Sequence, residues 1–149
     1  MKIALGADHG GFNLKEVIKK HLEGKDYQVV DYGTFNTESI DYPDIGEKVA
    51  LAVKNGEADK GIITCGTGLG ISITANKIPG IRAALVSETF SAEMSRAHNN
   101  ANILALGGRV TGPDLALQIV DVWLKTDFLG DRHERRVNKI SQIEAKYSK

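Results

Sequence analysis

The chain has 149 residues, 42% of them hydrophobic, and its 19 lysines and arginines balance 19 aspartates and glutamates. This length predicts a single domain, residues 1–149, and excludes a cofactor domain joined to a separate substrate domain. The balanced charge, the single cysteine and the lack of an apolar stretch near the ~18 residues of a membrane span argue against nucleic acid, membrane, disulfide and cysteine-based metal sites. We therefore expect a soluble, cytoplasmic protein.

Short β-rich runs alternate with helical patterns along the chain. In chain order, the first elements are strand KIALG, a helix marked by Leu14, Val17, Ile18 and Leu22 and ended by Gly24, strand QVVDYG, and a helix marked by Ile45, Val49, Ala52 and Val53. The next are strand KGIIT, helix GLGISITANK, strand RAALVS, helix ETFSAEMSRAH and strand NILALGG. Two helices close the chain, one marked by Leu115, Ile119, Val122 and Trp123 and one from about Asp131.

This alternation predicts a Rossmann-like α/β fold with three α/β/α layers around a mostly parallel five-stranded sheet. Ligands of such sheets bind beyond the carboxyl ends of the strands, where the strand order reverses. The loops of interest are therefore ADHGG, CGTGLG and GGR, together with the polar loop that holds DYPD.

The last helix carries an apolar stripe, although the other predicted helices are already enough to cover the sheet. Its members are Val137, Ile140, Ile143 and Tyr147. We expect this extra C-terminal helix to pack on a partner subunit.

The glycine loop after the third predicted strand is built to hold negative charge. Gly66, Gly68 and Gly70 lie between a strand and a helix, so several backbone N–H groups can converge on an anion. Their G-x-G-x-G spacing matches neither the dinucleotide fingerprint nor a Walker loop. Cys65 opens the loop at a helix N-terminus, which favours the thiolate, although a lone cysteine is also a small buried hydrophobe. A nucleotide-binding module, with Glu88 as its ribose-binding acid, remains an alternative.

Six segments together resemble the ribose-5-phosphate isomerase B family, whose relatives include galactose-6-phosphate isomerase subunits. They are GADHGG, DYPD, CGTGLGISITANK, IRAALV, SRAHNNANILALGGR and RHERR, and the likeness covers essentially the whole chain. It implies a metal-independent aldose–ketose isomerase without a cofactor, with active sites between the two subunits of a homodimer; some members pair further into tetramers.

The implied reaction interconverts D-ribose 5-phosphate and D-ribulose 5-phosphate in the non-oxidative pentose phosphate pathway. Other aldose phosphates, such as allose 6-phosphate, are further candidate substrates. A galactose-6-phosphate isomerase subunit, which needs a different partner chain, remains an alternative.

The resemblance also assigns roles to individual residues. Cys65 is the base that moves the proton, because the glutamate used by another branch is replaced here by Ile71. His98 opens the sugar ring, and an imidazole can donate a proton near neutral pH. The anion hole consists of the backbone N–H groups of Gly66, Thr67, Gly68, Leu69 and Gly70.

The remaining implied contacts bind the substrate. The resemblance implies that the sugar hydroxyls are bound by Asp8, Tyr42, Thr67 and Asn99. It implies that the phosphate is bound by His9, Arg109, Arg132 and Arg136, with His98 and Arg109 supplied across the interface. His133 and Arg135 are interpreted as surface residues, His21 has no role, and no metal site is expected.

Overall fold

The computed structural model describes residues 1–148 and forms an open sheet with helices on both faces. All four pairings between neighbouring strands are parallel, in the order β2-β1-β3-β5-β4. The α/β prediction is therefore confirmed. The strands β1 to β5 span Lys2–Ala7, Gln28–Asp31, Lys60–Cys65, Ala83–Leu85 and Ile103–Gly107.

Six helices within residues 1–148 connect and follow these strands. Their bounds, from α1 to α6, are Phe12–Glu23, Tyr42–Lys54, Leu69–Ala75, Thr89–Ala97, Pro113–Lys125 and Arg132–Tyr147. Gly24 caps α1 as predicted, whereas β4 is only three residues long instead of the six of RAALVS. On α5 the predicted stripe is shifted, since Leu115 is exposed and Ala116 and Val120 are buried beside Ile119 and Trp123.

The central strands are apolar on both faces because a helical layer covers each one. Successive residues alternate between the two cores: Ile62 packs with α1, α4 and α5, whereas Ile63 packs with α2 and α3. Trp123 and Ile18 are fully buried in the first core, and Val49 and Ile71 in the second.

Helix α6 lies outside these layers and is only partly covered by its own chain. His133 and Val137 are buried, whereas Ile140, Ile143 and Tyr147 are 48%, 61% and 76% exposed. The predicted stripe is therefore divided, because Val137 belongs to the fold of this chain and the other three face outward.

The strand order reverses between β1 and β3, since the chain moves outward from β1 to β2 and then returns across the sheet to β3. Asp8 directly follows β1 and Cys65 is the last residue of β3, so the fold brings both to the carboxyl edge of the sheet. No helix among residues 1–148 has the length and hydropathy to cross a membrane.

Candidate active site

Cys65 is the last residue of β3 and is buried, with 4% of its surface exposed. The backbone N–H of Gly68 donates a hydrogen bond to its Sγ over 3.1 Å, a contact that supports negative charge on sulfur. Gly68 has a left-handed φ of 81°, and a Cβ there would collide with Leu85 and Leu106, so the turn requires glycine. The loop is thus folded around the cysteine sulfur.

Two of the five N–H groups proposed for the anion hole donate within the loop itself. The N–H of Gly68 binds the sulfur, and that of Leu69 donates to Thr67 Oγ1 at 3.2 Å. The N–H groups of Gly66, Thr67 and Gly70 have no hydrogen-bond acceptor within residues 1–148. These three are therefore the donors most available to a bound oxyanion.

The turn after β1 packs directly against this loop. Asp8 is buried and accepts a hydrogen bond from the N–H of Gly11 through Oδ1, at 3.1 Å. A Cβ on Gly10 would lie 2.9 Å from the backbone nitrogen of Gly66, so the two turns can touch only because glycine stands there. Asp8 and Cys65 consequently belong to one small site.

His9, in the turn after β1, and Tyr42, at the end of the segment after β2, lie near the same region. The N–H of Ile40 donates to His9 Nδ1 at 3.2 Å, which leaves Nε2 to carry the proton of the neutral ring. Tyr42 begins α2, and its ring covers Gly70, where a Cβ would lie 2.5 Å from the aromatic carbons. Tyr42 therefore borders the glycine loop, and His9 links the turn after β1 to the segment before α2.

Arg109 also lies at the glycine loop of its own chain, so the expectation that it is supplied across an interface together with His98 is wrong. Its backbone N–H donates to Gly66 O at 2.9 Å, and its guanidinium nitrogen Nη1 would be 3.1 Å from a Cβ on Gly66. The backbone N–H of the preceding Gly108 donates to the carbonyl oxygen of Cys65 at 2.8 Å, and this bond holds Arg109 beside the loop.

His98 ends α4 and stacks on His133, with ring centroids 4.0 Å apart and planes 9° from parallel. His133 is 5% exposed, so the prediction that it is a surface residue is wrong. Burial lowers its pKa, and the neighbouring charges of His98, Arg132 and Arg136 lower it further. A signal for this was present, because His133 precedes the buried Val137 by one helical turn.

Asn99 is exposed beside His98, in a turn held by two arginines that the sequence analysis did not single out. Arg82 Nε donates to the carbonyl oxygen of Asn99 at 3.0 Å. Arg96 is buried and donates through Nη1 to Asn100 Oδ1 at 2.9 Å and to the carbonyl of Ala101. The turn is therefore rigid, and Asn100 can occupy its left-handed conformation, with φ 47°.

Arg132 and Arg136 lie four residues apart in the first turns of α6 and are exposed. Neither they nor Arg109 form a salt bridge with any residue between 1 and 148. Three guanidinium groups are thus available to an anion, a task to which their planar donor sets are suited.

The predicted site residues form two separate clusters. Asp8, His9, Tyr42, the loop 65–70 and Arg109 surround the carboxyl edge of the sheet. His98 belongs to the amino edge, because four residues after it the carbonyl of Asn102 accepts a hydrogen bond from Gly61, near the start of β3. Asn99, Arg132, His133 and Arg136 accompany it there.

Two other candidate residues have structural contacts of their own. Glu88 caps α4 by accepting the N–H of Ser91 at 3.0 Å, which takes it away from a ribose-binding role. His21 pairs with Asp121 at 2.8 Å, so its imidazole forms a contact between α1 and α5. No group of three or more metal-binding side chains occurs in the part of the chain that the structure describes.

The sequence was compared with protein families and with individual proteins. Residues 3–140 match the family model described as Ribose/Galactose Isomerase. Ribose-5-phosphate isomerase B of Escherichia coli strain K12 is 53% identical over 143 residues, which cover 96% of each chain. The galactose-6-phosphate isomerase subunit LacB of Clostridium acetobutylicum is 41% identical and is matched over 93% of this chain and 80% of its own.

A solved structure agrees with these matches. The ribose-5-phosphate isomerase B of Clostridium thermocellum superposes with a TM-score of 0.98 at 63% identity, covering 99% of this chain and all of the other. The fold and these matches therefore define an α/β enzyme of sugar phosphates. The chain belongs to the ribose/galactose isomerase family and is a sugar-phosphate isomerase.

Proposed function

We propose that this chain interconverts D-ribose 5-phosphate and D-ribulose 5-phosphate, as a homodimer in which each active site combines the carboxyl-edge cluster of one subunit with the amino-edge cluster of the other. The observation that carries this proposal is the position of His98 and Cys65 at opposite edges of one sheet. The stronger likeness to ribose-5-phosphate isomerase B than to the galactose-6-phosphate subunit supports ribose 5-phosphate as the substrate.

One chain alone does not bring its two clusters together. Gly61 is the second residue of β3 and Cys65 is its last, so at about 3.3 Å per residue they lie roughly 13 Å apart along the strand. A pentose phosphate needs its reacting carbons, ring oxygen and phosphate bound at once. A second copy, with its amino edge facing Cys65, supplies the missing half.

The interface for this second copy is an apolar groove at the amino edge. It has a volume of about 600 Å³ and runs between α6 and the start of β4. Ile140 and Ile143 form its α6 side, and Ile81 and Ala83 form the other. Because Asn99 also lines the groove, a subunit that covers these residues is brought to the amino-edge cluster at the same time. A tetramer made of two such dimers is compatible with this arrangement.

Proton transfer is assigned to Cys65. In the open-chain aldose, the thiolate removes the proton on C2, a double bond forms between C1 and C2, and negative charge moves to the carbonyl oxygen on C1. The N–H groups of Gly66, Thr67 and Gly70 stabilise this oxyanion. The thiol returns the proton to C1 while the proton of the C2 hydroxyl passes to the oxygen on C1, which yields the ketose.

Ring opening precedes this step and is assigned to His98 of the other subunit. Its imidazole donates a proton to the ring oxygen as the bond between C1 and that oxygen breaks, and the C1 hydroxyl, which becomes the carbonyl, gives its proton to the solvent that reprotonates the imidazole. Asp8, Tyr42, Thr67 and Asn99 hold the hydroxyls, and Asp8 is the best fixed of them through its bond from Gly11.

The phosphate is placed among the guanidinium groups of Arg109, Arg132 and Arg136, with His9 as a further donor. Arg109 comes from the subunit that carries the reacting Cys65, and the α6 arginines come from the subunit that carries the reacting His98. The phosphate thus lies where both subunits contribute positive charge, which couples substrate binding to dimer formation.

The deciding experiment is an assay of the purified protein, with no other chain added, on ribose 5-phosphate, galactose 6-phosphate and allose 6-phosphate, with its mass measured by light scattering. We expect a dimer or tetramer that turns over ribose 5-phosphate. An inactive homo-oligomer that gains activity on galactose 6-phosphate with a second subunit would contradict the proposal. Dinucleotide binding in calorimetry without isomerase activity would favour the nucleotide-binding alternative. From this function we also predict a cytoplasmic location and a place in the non-oxidative pentose phosphate pathway.

A further inference from the structure

We infer that His133 holds the imidazole of His98 in the orientation that ring opening needs, and is therefore a positioning residue of the active site. The inference rests on the ring-opening role proposed for His98. His133 is not placed against the substrate, and it acts through the ring on which it stacks.

The stack fixes the plane of a side chain that would otherwise be mobile. His98 is only partly buried and forms the C-terminal cap of α4, where a histidine side chain can adopt several rotamers. With the ring centroids 4.0 Å apart and the planes within 9° of parallel, rotation of the His98 ring out of its plane would separate the two faces. The ring nitrogens of His98 consequently point in defined directions.

The His133 ring, on which His98 stacks, is itself held in place by several contacts. Leu129 donates its N–H to the carbonyl of Ala97 at 3.0 Å, which ties the segment before α6 to the end of α4. The N–H of His133 donates to the carbonyl of Gly130 at 3.0 Å, and Val137 is buried one turn further along α6. The position of the His133 ring is therefore set by the fold rather than by its own side-chain torsions alone.

His133 serves as a flat, uncharged surface rather than as a member of a proton relay. Its Nε2 is buried and has no hydrogen-bond partner in residues 1–148. Burial and the nearby charges lower its pKa, which favours the neutral ring. A neutral partner is the appropriate one, since His98 must accept and release a proton without facing a second positive charge across the stack.

The test compares His133→Ala with His133→Phe, and uses Arg135→Ala, an exposed position on the same helix, as the matched control. Two activities are measured. The first is turnover of ribose 5-phosphate, which requires ring opening. The second is exchange of a C1 proton of ribulose 5-phosphate with D₂O, followed by NMR; this ketose stays open because its 5-oxygen is esterified, so exchange depends on Cys65 but not on ring opening.

We expect His133→Ala to reduce turnover of ribose 5-phosphate about tenfold, the scale of a misplaced catalytic group, while C1 exchange changes less than about twofold. His133→Phe, which keeps a flat neutral ring, should restore turnover to within about threefold of the wild type. Arg135→Ala should match the wild type in both activities.

His98→Asn separates failure of this inference from failure of the proposed function. If His98→Asn leaves turnover of ribose 5-phosphate intact, the proposed role of His98 fails. If His98→Asn is impaired only in turnover, the inference is overturned by a His133→Ala variant that retains full turnover or that loses both activities equally.

A direct measurement in the wild type covers the case in which His133→Ala does not fold. The ring protons of His98, assigned by their absence in His98→Asn, should be shifted upfield by the stacked ring, and His133→Phe should keep an upfield shift. Unshifted His98 signals in the wild-type protein, or a His133→Phe variant with a tenfold loss of turnover, would overturn the inference.

Discussion

Cys65 combines burial at the end of β3 with a backbone donor on its sulfur. We expect Cys65→Ala to abolish both turnover of ribose 5-phosphate and C1 proton exchange, because no other side chain is assigned to move the proton. The free energy of unfolding in urea should fall by only about 1 kcal/mol, since the change removes a single buried heavy atom. Cys65→Ser is the matched control. Its hydroxyl is similar in volume to the thiol but is a far weaker acid, so this variant should also be inactive. A folded Cys65→Ala variant with near wild-type turnover would refute this role.

The lowered pKa of His133 predicts a stability that depends on pH. Burial and its neighbours His98, Arg132 and Arg136 lower its pKa from the ordinary 6.5, against the smaller opposing effect of Asp131. Below about pH 6.5 the unfolded chain therefore binds a proton at this position that the folded chain resists, so acidification favours unfolding. Above that pH the contribution of His133 to stability is fully present.

We expect the urea midpoint of the wild type to fall more between pH 7.5 and pH 5.5 than that of His133→Phe, which has no group to titrate. His21→Phe, which removes a histidine from a partly buried pair with Asp121, controls for a general effect of losing an imidazole. Equal falls in the wild type and His133→Phe would contradict the assignment.

The first turns of α6 carry Arg132 and Arg136, which we propose as phosphate ligands, so we expect this helix to connect assembly with substrate affinity. Arg136→Met should raise KM for ribose 5-phosphate about 10- to 100-fold, the equivalent of a lost charged hydrogen bond, with a smaller change in kcat if the phosphate is bound equally in ground and transition states. Arg135→Met, at the adjacent exposed position, is the control and should leave KM unchanged. An Arg136→Met variant with wild-type KM would remove Arg136 from the phosphate site.

The dimer with shared sites predicts complementation between inactive chains. Cys65→Ala and His98→Asn each remove one half of every site in their own homodimers. A mixed dimer contains one site with both substitutions and one site with neither, so half of the mixed dimers' sites should be active. Activity is measured after the two proteins have been unfolded and refolded together, with subunit exchange verified by differently tagged chains. Verified mixed dimers without activity would contradict the shared site.

The elements and the carboxyl-edge cluster could be predicted from the sequence because their signals are local. Gly66, Gly68 and Gly70 follow an apolar strand directly, and the periodicity of Ile45 and Val49 specifies a helix without reference to the rest of the chain. The parallel sheet then brings Asp8 to Cys65 by topology alone.

The interpretations that failed depend on contacts between distant segments. His133 stands among charged residues in RHERR, a pattern typical of a solvated helix face, and only the docking of α6 on α4 buries it. Arg109 follows β5, and its neighbour is the Cys65 loop because β5 pairs with β3, an order that the sequence did not specify. The contact of Arg82 with Asn99 was not predicted either, because the two residues are seventeen positions apart in the sequence.

The two outer strands of the sheet are its shortest, four residues in β2 and three in β4, against five or six in the strands between them. Short outer strands offer little unpaired backbone, so another chain cannot readily extend the sheet by strand addition. This protects the protein from open-ended aggregation through its sheet edges. In the proposed dimer, recognition between copies must instead depend on side chains, whose shapes permit one orientation and a closed assembly.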